Sequence, residues 1–406
     1  MRAVVVGAGP AGAALAYLLA RRGAGVTLLE RQTDFAREFR GEGLMPGGVD
    51  ALLQMGLGAQ LDALPQSRVR RFEIFQDARL LIALQLGPGS RLGDGPRFVS
   101  QPALLEMLVA EASALPGFRI ERGFTVRDLV RRNGRTAGVR GDAGSGPSEV
   151  LGDFVIGTDG RASAVRKHSD LDRAREPQSF DVLWCKLPLP EFGEQGVGRV
   201  YLGRGHFCIV FPAPDGRLQI GWVIDKGTFG DLRRRGVDGW LGQLAEHVSA
   251  DFAAHIAARG SEISHPFLLD VVCDHLEEWC SPGLLLLGDA SHPMSPVGAQ
   301  GINIALRDAI VAANHLGPVL AAGALPDEVD AAARRVRDER LPEVRTIQRL
   351  QKIPPRILFQ RTRASRTAAR VLAPLLVRSG IAPLLFGFAF RRFARGTTSV
   401  RLDPEA

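Results

Sequence analysis

Apolar and polar positions run along this chain in two rhythms, and the changes of rhythm mark its elements. Ala3-Val-Val-Val6 is apolar throughout; Gly7-Ala-Gly9-Pro-Ala-Gly12 follows, then apolar residues at helical spacing to about Arg22, then Val26-Thr-Leu-Leu-Glu30. Short all-apolar runs fit strands buried on both faces of a parallel sheet, so the segment reads strand, glycine turn, helix, strand. The run-then-turn pattern returns at Asp153-Phe-Val-Ile-Gly157 and at Leu284-Leu-Leu-Leu287. Between them the period falls to two. Val69 to Leu86 alternates around Gln76-Asp77, and Phe118 to Arg140 reads as strands around Arg132-Asn-Gly134, so both predict tight turns between strands. Phe180 to Asp225 holds short aromatic-bearing runs separated by turns such as Asp215-Gly216, predicting a separate antiparallel sheet. Helical spacing is expected around Gly48–Met55, over Ala103–Ala114 and Val237–Ala258, and from near Gly301, while Asp142 to Ser148 reads as a Gly/Ser/Pro loop. The fold class is α/β: a Rossmann-like unit over 1–70, 98–178 and 266–350, an inserted antiparallel-sheet unit over 71–97 and 179–265, and a basic helical segment over 351–406.

The glycines decide what the first run can do. Gly7 permits the tight turn, Gly9 lets backbone approach a pyrophosphate, and Gly12 lets the helix sit close to the sheet, with the helix N-terminus facing the phosphates. Glu30 lies roughly 20 residues on, where a carboxylate accepts ribose hydroxyls. An export signal is not expected, because the glycines break up the apolar stretch Val4–Ala20 and no hydrophilic cleavage region follows. Asp159-Gly160 follows the next strand, with Ser163 and Arg166 at a helix start; by itself this is first a turn with a helix cap. Gly288-Asp289 follows the third strand. The loop Pro296-Val-Gly298-Ala-Gln300-Gly301-Ile302-Asn303 then enters a helix whose N–H groups and positive dipole end suit an electron-rich flavin ring. Asp289 and His292 lack a third metal ligand, and no G-x-S-x-G prepares a serine nucleophile. The basic pair Arg37 and Arg40 can neutralise a pyrophosphate or stand as solvated loop charge.

Composition narrows the setting. A chain of 406 residues, 45% hydrophobic and 23% charged, has the make-up of a globular enzyme with two or three structural units. Cys185, Cys208, Cys273 and Cys280 show no CxxC spacing and read as buried reduced thiols of a cytoplasmic protein, with no metal site. Lys352 to Gly396 holds ten Lys or Arg and no acid; removing them from the net charge of +7 leaves −3, so the basic character belongs to the tail. No nucleic-acid partner is expected, since the basic residues are not interleaved with stacking aromatics on a known module. The apolar stretch Val371–Phe390 is interrupted by Pro374, Arg378, Gly380 and Pro383, against a spanning helix.

Together, Gly7-x-Gly9-x-x-Gly12, Asp159-Gly160-x-x-Ser163-x-Val165-Arg166 and Gly288-Asp289 with Pro296-x-Gly298-x-x-Gly301-x-Asn303 resemble the single-component FAD-dependent aromatic hydroxylases. This is the para-hydroxybenzoate hydroxylase-like group of flavoprotein monooxygenases, and the resemblance covers roughly residues 1–350. It implies FAD as cofactor and NADPH or NADH as co-substrate, the latter docking transiently, as no second GxGxxG is present. It also implies that oxygen adds to reduced flavin as a C4a-hydroperoxide, which hydroxylates an aromatic, quinone or polyketide-like small molecule. Residue by residue, Gly7, Gly9, Gly12 and Glu30, with Arg31, would hold the ADP half of FAD. Arg40 and Gln101 match contacts to the phosphates and ribityl chain, although many relatives carry Arg in place of Gln101. Asp159 belongs to a motif tied to both FAD and NAD(P)H. Gly288 and Asp289 would bind the ribityl side; Gly298, Gln300, Gly301, Ile302 and Asn303 would flank the flavin ring. Pro296 matches the proline near the hydroxylation site, and the catalytic surface would be Pro296, Gly298, Gln300 and Gly301.

The Phe180–Val223 sheet would roof the substrate pocket. His206 and His292 are candidate bases, each with a structural alternative. The tail over 352–396 is either a helical cap on the enzyme or a peripheral membrane contact that gives access to a lipophilic substrate. A monomer or homodimer is expected. Two further classes stay open: an FAD-dependent reductase of a prenyl-type substrate and a non-catalytic flavin-binding protein.

Overall fold

The computed structural model describes residues 1–36, 42–90, 92–144, 146–171, 178–203, 206–358, 367, 372 and 375–404. Its first sheet has six strands in the order Cys280–Ser281, Leu284–Leu286, Phe154–Gly157, Arg2–Val6, Gly25–Glu30 and Phe118–Arg122. All neighbours pair in parallel except the edge strand Cys280–Ser281. The all-apolar runs are there for a reason: Val4, Val5, Leu28, Ile156 and Leu285 are wholly buried, covered on both faces. Helix Pro10–Arg21 is buried from Ala11 to Ala20, and its alanine-rich surface packs on helix Gln300–Ala322. The long helix Pro326–Leu358 packs against the latter in turn.

The second sheet has seven strands in the order Phe267–Leu269, Phe180–Pro188, Arg217–Asp225, His206–Pro212, Val197–Gly203, Arg71–Gln76 and Arg79–Gln85. Period-two alternation sorts its two faces. Phe180, Val182 and Trp184 point into a core shared with Phe98, Phe211 and Val271. Leu183, Cys185 and Leu187 point the other way, onto Trp240, Leu244 and Phe252 of the covering helices. The hairpin turn falls on Asp77 and Ala78, both at positive φ as a type I′ turn demands.

Several expectations are corrected. The helical stretch Val237–Ala258 is two helices, Gly236–Ala245 and Ala250–Arg259, because Ser249 turns inward to bond Arg199 and Tyr201. Asp142–Ser148 is mostly strand: Arg135–Ala143 pairs with Gly146–Leu151, and with Thr125–Arg132 they form a three-stranded sheet. Strand Phe267–Leu269 pairs with Phe180–Pro188, so the antiparallel sheet takes in residues assigned above to the other unit. Cys280 is only half-buried, whereas the other three thiols are buried.

The C-terminal helix Ile381–Arg395 seats Phe390 and Ala394 in the core with Trp184 and Phe211. Leu372, Leu375, Leu376, Leu384 and Phe388 are exposed. Among the described residues no helix is long and apolar enough to cross a membrane.

Candidate functional site

Three distant loops meet at the carboxyl ends of the parallel strands. Gly7 has φ +98°, and a Cβ there would lie 2.7 Å from Asp159 Cα, so the glycine turn rests directly on the second motif. A Cβ on Gly12 would lie 2.0 Å from the Gly7 carbonyl oxygen and 2.4 Å from Thr158 Oγ1. The Thr158 hydroxyl donates toward the Val6 and Gly7 carbonyls, 2.8 Å from each. A Cβ on Gly288 would touch Ala11 Cβ at 3.2 Å, and Arg161 Nε donates to Asp289 Oδ2 at 3.1 Å, which joins the third motif to the other two.

The glycine turn has the features of a phosphate cradle. No side chain caps helix Pro10–Arg21, and a Cβ on Gly9 would meet nothing within 4 Å. Glu30, buried at the end of its strand, accepts the Ala8 N–H on Oε2 and the Gln32 N–H on Oε1, both at 3.0 Å. That clamps the turn to the next strand. Arg31 is exposed beside it. Arg37 and Arg40 lie outside the described residues.

Asp159 caps the short helix Ala164–Lys167: its carboxylate accepts Ser163 Oγ, the Ala164 N–H at 2.7 Å and the Val165 N–H at 3.1 Å. Burial pushes this carboxyl above its ordinary range, against those donors. The helix-cap reading of Asp-Gly therefore holds locally, while the backbone of Asp159 still abuts Gly7.

Along the third motif, Pro296 to Ala299 is half-buried between buried neighbours. Ala299 sits at φ +52°, a conformation alanine rarely adopts, and opens helix Gln300–Ala322 with no side-chain cap. Gln300 Nε2 donates to the Gly298 carbonyl at 2.6 Å and to the Phe393 carbonyl at 2.8 Å. Asn303 is spent on backbone: Oδ1 accepts the Met45 N–H at 2.8 Å, and Nδ2 donates to the Gly43 and Ala299 carbonyls. Ile302 is buried, and a Cβ on Gly301 would meet nothing within 4 Å. Gln101 is the first residue of helix Gln101–Ser113, half-buried. The two histidines go elsewhere. His206 stacks on His247 at 3.5 Å between ring centroids; burial, helped by that neighbour, pushes its pKa down to about 4. His292 is in the core, 2.9 Å from Asp308 and against Trp279.

An FAD fits these groups: an open glycine face at an uncapped helix N-terminus, a carboxylate at the end of the adjoining strand, and a half-buried backbone run leading into a second uncapped helix.

Between the seven-stranded sheet and the segments that carry Glu42, Pro65 and Ser100 lies a cavity of about 590 Å³, lined by Glu42, Ser100, Trp184, Lys186, Gln219 and Phe267 among others. Sequence reasoning passed over Glu42, although an acid between two glycines ahead of an apolar segment is unusual enough to mark. Lys186 Nζ is 3.7 Å from Glu42 Oε1 and 2.8 Å from Asp215 Oδ2. Burial raises the Glu42 pKa from 4.5 to about 7, with Lys186 opposing and Asp215 adding to the rise. The folded chain thus keeps a proton on Glu42 that the unfolded chain releases between those values, and Glu42 favours folding less as pH climbs through that window. Glu42→Gln is expected to gain stability relative to the parent from pH 4.5 to about 7, read as diverging thermal melts.

Comparison with known proteins bears on the same surfaces. A family model described as FAD binding domain matches residues 1–344. The chain is 33% identical to 6-methylpretetramide 4-monooxygenase of Streptomyces rimosus, over 99% of this chain and 94% of that one. It is 31% identical to 3-amino-4-hydroxybenzoate 2-monooxygenase PtmB3 of Streptomyces platensis, over 86% of each. Its fold matches P. aeruginosa PqsL in complex with 2-aminobenzoylacetate at a TM-score of 0.77 and 22% identity, covering 90% of this chain and 98% of that one.

Proposed function

The chain belongs to the FAD binding domain family and is an FAD-dependent monooxygenase, and from that premise we propose that it hydroxylates a phenolic aromatic or polyketide-type small molecule. The observation that carries the reading is the meeting of the Gly7, Asp159 and Asp289 loops at one sheet edge; the chain also holds a cavity whose wall includes Ser100, next to Gln101, and the rings of Trp184 and Phe267. Relatives that act on a pretetramide and on an aminohydroxybenzoate support the substrate class. Both are named monooxygenases, which leaves the prenyl-reductase and non-catalytic readings with weaker support.

Bound FAD, reduced by NAD(P)H, supplies the oxygen-activating chemistry. The protein's part is to bind, orient and exclude water. In this reading Gly7, Gly9, Gly12 and the Pro10–Arg21 helix N-terminus receive the pyrophosphate, and Glu30 the adenosine ribose. Gln101 and Asp289 would hold the ribityl chain. Pro296, Gly298 and the N–H groups from Gln300 to Ile302 line the ring, while Asn303 fixes the loop that presents them. Trp184 and Phe267, on the cavity wall, would keep water from the reacting ring.

The test is oxygen uptake. Purified yellow protein is expected to oxidise NAD(P)H with stoichiometric oxygen consumption when supplied with a hydroxylated polycyclic aromatic, and to release a product one oxygen heavier. Turnover under anaerobic conditions, or oxidation indifferent to every aromatic tested, would refute it.

The C-terminal segment supports a second contact. Arg378, Arg391, Arg392 and Arg395 accompany the exposed Leu375, Leu376, Leu384 and Phe388, a combination suited to an anionic lipid surface. Flotation with phosphatidylglycerol vesicles at low salt should carry the protein upward, and salt should release it. Protein that stays at the bottom at low salt removes the idea.

A further inference from the structure

Two residues that line this cavity each carry a buried side-chain oxygen that no donor reaches among the described residues, Glu42 Oε2 and Gln219 Oε1. Glu42 is 8% exposed and Gln219 0%. Leaving such acceptors unpaired in a low-dielectric site is costly, and native proteins keep few of them unless something else supplies the donor. The rest of each side chain is accounted for. Gln219 Nε2 donates to the Cys185 carbonyl at 3.2 Å, and Glu42 Oε1 faces Lys186 Nζ at 3.7 Å. Lys186 in turn bonds Asp215, whose side chain is 48% exposed, so one end of the cluster reaches water. His265 and Cys185 are the remaining titratable groups on the cavity wall, the thiol of Cys185 pushed up to about 12 by burial. Trp184 and Phe267 give that wall flat apolar surface.

The place is also right. The Glu42 carbonyl accepts the Val99 N–H at 2.8 Å, just ahead of Ser100 and Gln101. On its other side Gly43 lies against Ala299, where a Cβ would come within 3.1 Å of the alanine Cβ. Glu42 therefore hangs between the two segments assigned above to the ribityl chain and the flavin ring.

We propose that Glu42 is the catalytic base of the hydroxylation, taking the proton from a phenolic or enolic hydroxyl on the substrate ring. Gln219 accepts a hydrogen bond from a neighbouring hydroxyl or N–H, and Lys186 steadies the resulting oxyanion. The step is a plain proton transfer. The substrate O–H bond breaks, its electron pair stays on oxygen, the proton goes to Glu42 Oε2, and later passes to solvent by way of the Lys186–Asp215 edge. No oxidant is consumed. The gain is electron density at the ring carbons ortho and para to the oxygen, where an electrophilic oxygen is accepted. A pKa raised to about 7 suits a base working near neutrality.

This assignment rests on the monooxygenase reading, and the experiment separates the two. The probe is 2-naphthol, whose own hydroxyl ionises well above neutral pH, supplied to holoenzyme. Probe-stimulated NAD(P)H oxidation by the native protein is expected to rise with pH through about 7, as Glu42 gives up its proton, and then to level. Glu42→Gln should retain FAD, lose that rise, run about 100-fold slower on the plateau, and recover only as pH passes the probe's own pKa. A native profile without the rise, or a Glu42→Gln profile that keeps it, overturns the role of Glu42 and leaves the monooxygenase reading standing. A native chain that takes up no FAD overturns that reading instead. Should Glu42→Gln lose its flavin, Lys186→Met decides: with the cation gone the rise must move to higher pH, and an unmoved profile overturns the proposal.

Discussion

Gly12→Ala is expected to give a protein that neither holds FAD nor keeps its parent's stability. The added methyl would lie 2.0 Å from the Gly7 carbonyl oxygen and 2.4 Å from Thr158 Oγ1, and neither can step aside. The first is backbone of the turn. The second is tied to the Val6 and Gly7 carbonyls. Helix Pro10–Arg21 must lift off the sheet, at a cost of about 3 kcal/mol, the upper part of what overpacking usually does. Gly9→Ala is the control. Its methyl meets nothing within 4 Å, so the apoprotein should melt with its parent while FAD affinity drops, because the methyl stands where the pyrophosphate must approach. Thermal melts of the apoproteins and flavin retention on desalting read both outcomes. If Gly12→Ala melts with its parent and stays yellow, close helix–sheet packing is not what the third glycine provides.

Arg340→Ala should be as damaging from the far side of the fold. Arg340, Asp308 and Glu343 side chains are 0% exposed. Arg340 Nε donates to Asp308 Oδ1 at 2.7 Å and its other arm reaches Glu343, which also accepts Arg307 at 2.9 Å and the Thr397 N–H at 2.7 Å. Removing the arginine takes a charged partner from each of two buried carboxylates, leaving Asp308 to His292 and Glu343 to Arg307 and Thr397, a loss of about 3 kcal/mol. Burial pushes the Asp308 carboxyl up, yet His292 and Arg340 outweigh it and hold the carboxyl below its ordinary 3.8. Burial likewise opposes, and Arg340 with Arg307 reverses, the shift of Glu343 below 4.5. Both depressed values mean stability that is present above the ordinary carboxylate range and is lost as pH falls through the folded pKa. Arg340→Ala should therefore lose most at neutral pH and little in strong acid, so that denaturant midpoints of parent and variant converge on acidification. Parallel curves at all pH values would contradict the network's ionic character.

The parallel strands and their loops could be read from the residues because each signal was local. An all-apolar run ending in glycine and an acid says where a strand stops and what it presents. The antiparallel strands were legible from alternation for the same reason. Ser249 was not, since its inward turn serves partners on strand Val197–Gly203 that no window around residue 249 contains. Asp159 shows the limit of motif reading: its carboxylate is occupied by its own helix cap, and only its backbone reaches the glycine turn. Glu42 escaped notice because its chemistry comes from Lys186 and from burial against the seven-stranded sheet, neither of which is written near residue 42. For the tail, a helical cap on the enzyme was one of two readings, and what the residues did not tell was how it seats. Its basic composition was plain, but the seating of Phe390 and Phe393 against the aromatic face depends on the third dimension.

That seating makes the last helix part of the scaffold of the site. The ring of Phe393 covers Gly298, its carbonyl takes the Gln300 amide, and Thr397 and Thr398 bond the Glu343–Arg307 pair. Without residues 381–398 the loop from Pro296 to Gly301 would lose its backing and a buried carboxylate part of its shell, while the glycine turn, held by Glu30 and Thr158, would keep its own contacts. Truncation there should thus loosen the ring half of the cofactor site and spare the nucleotide half.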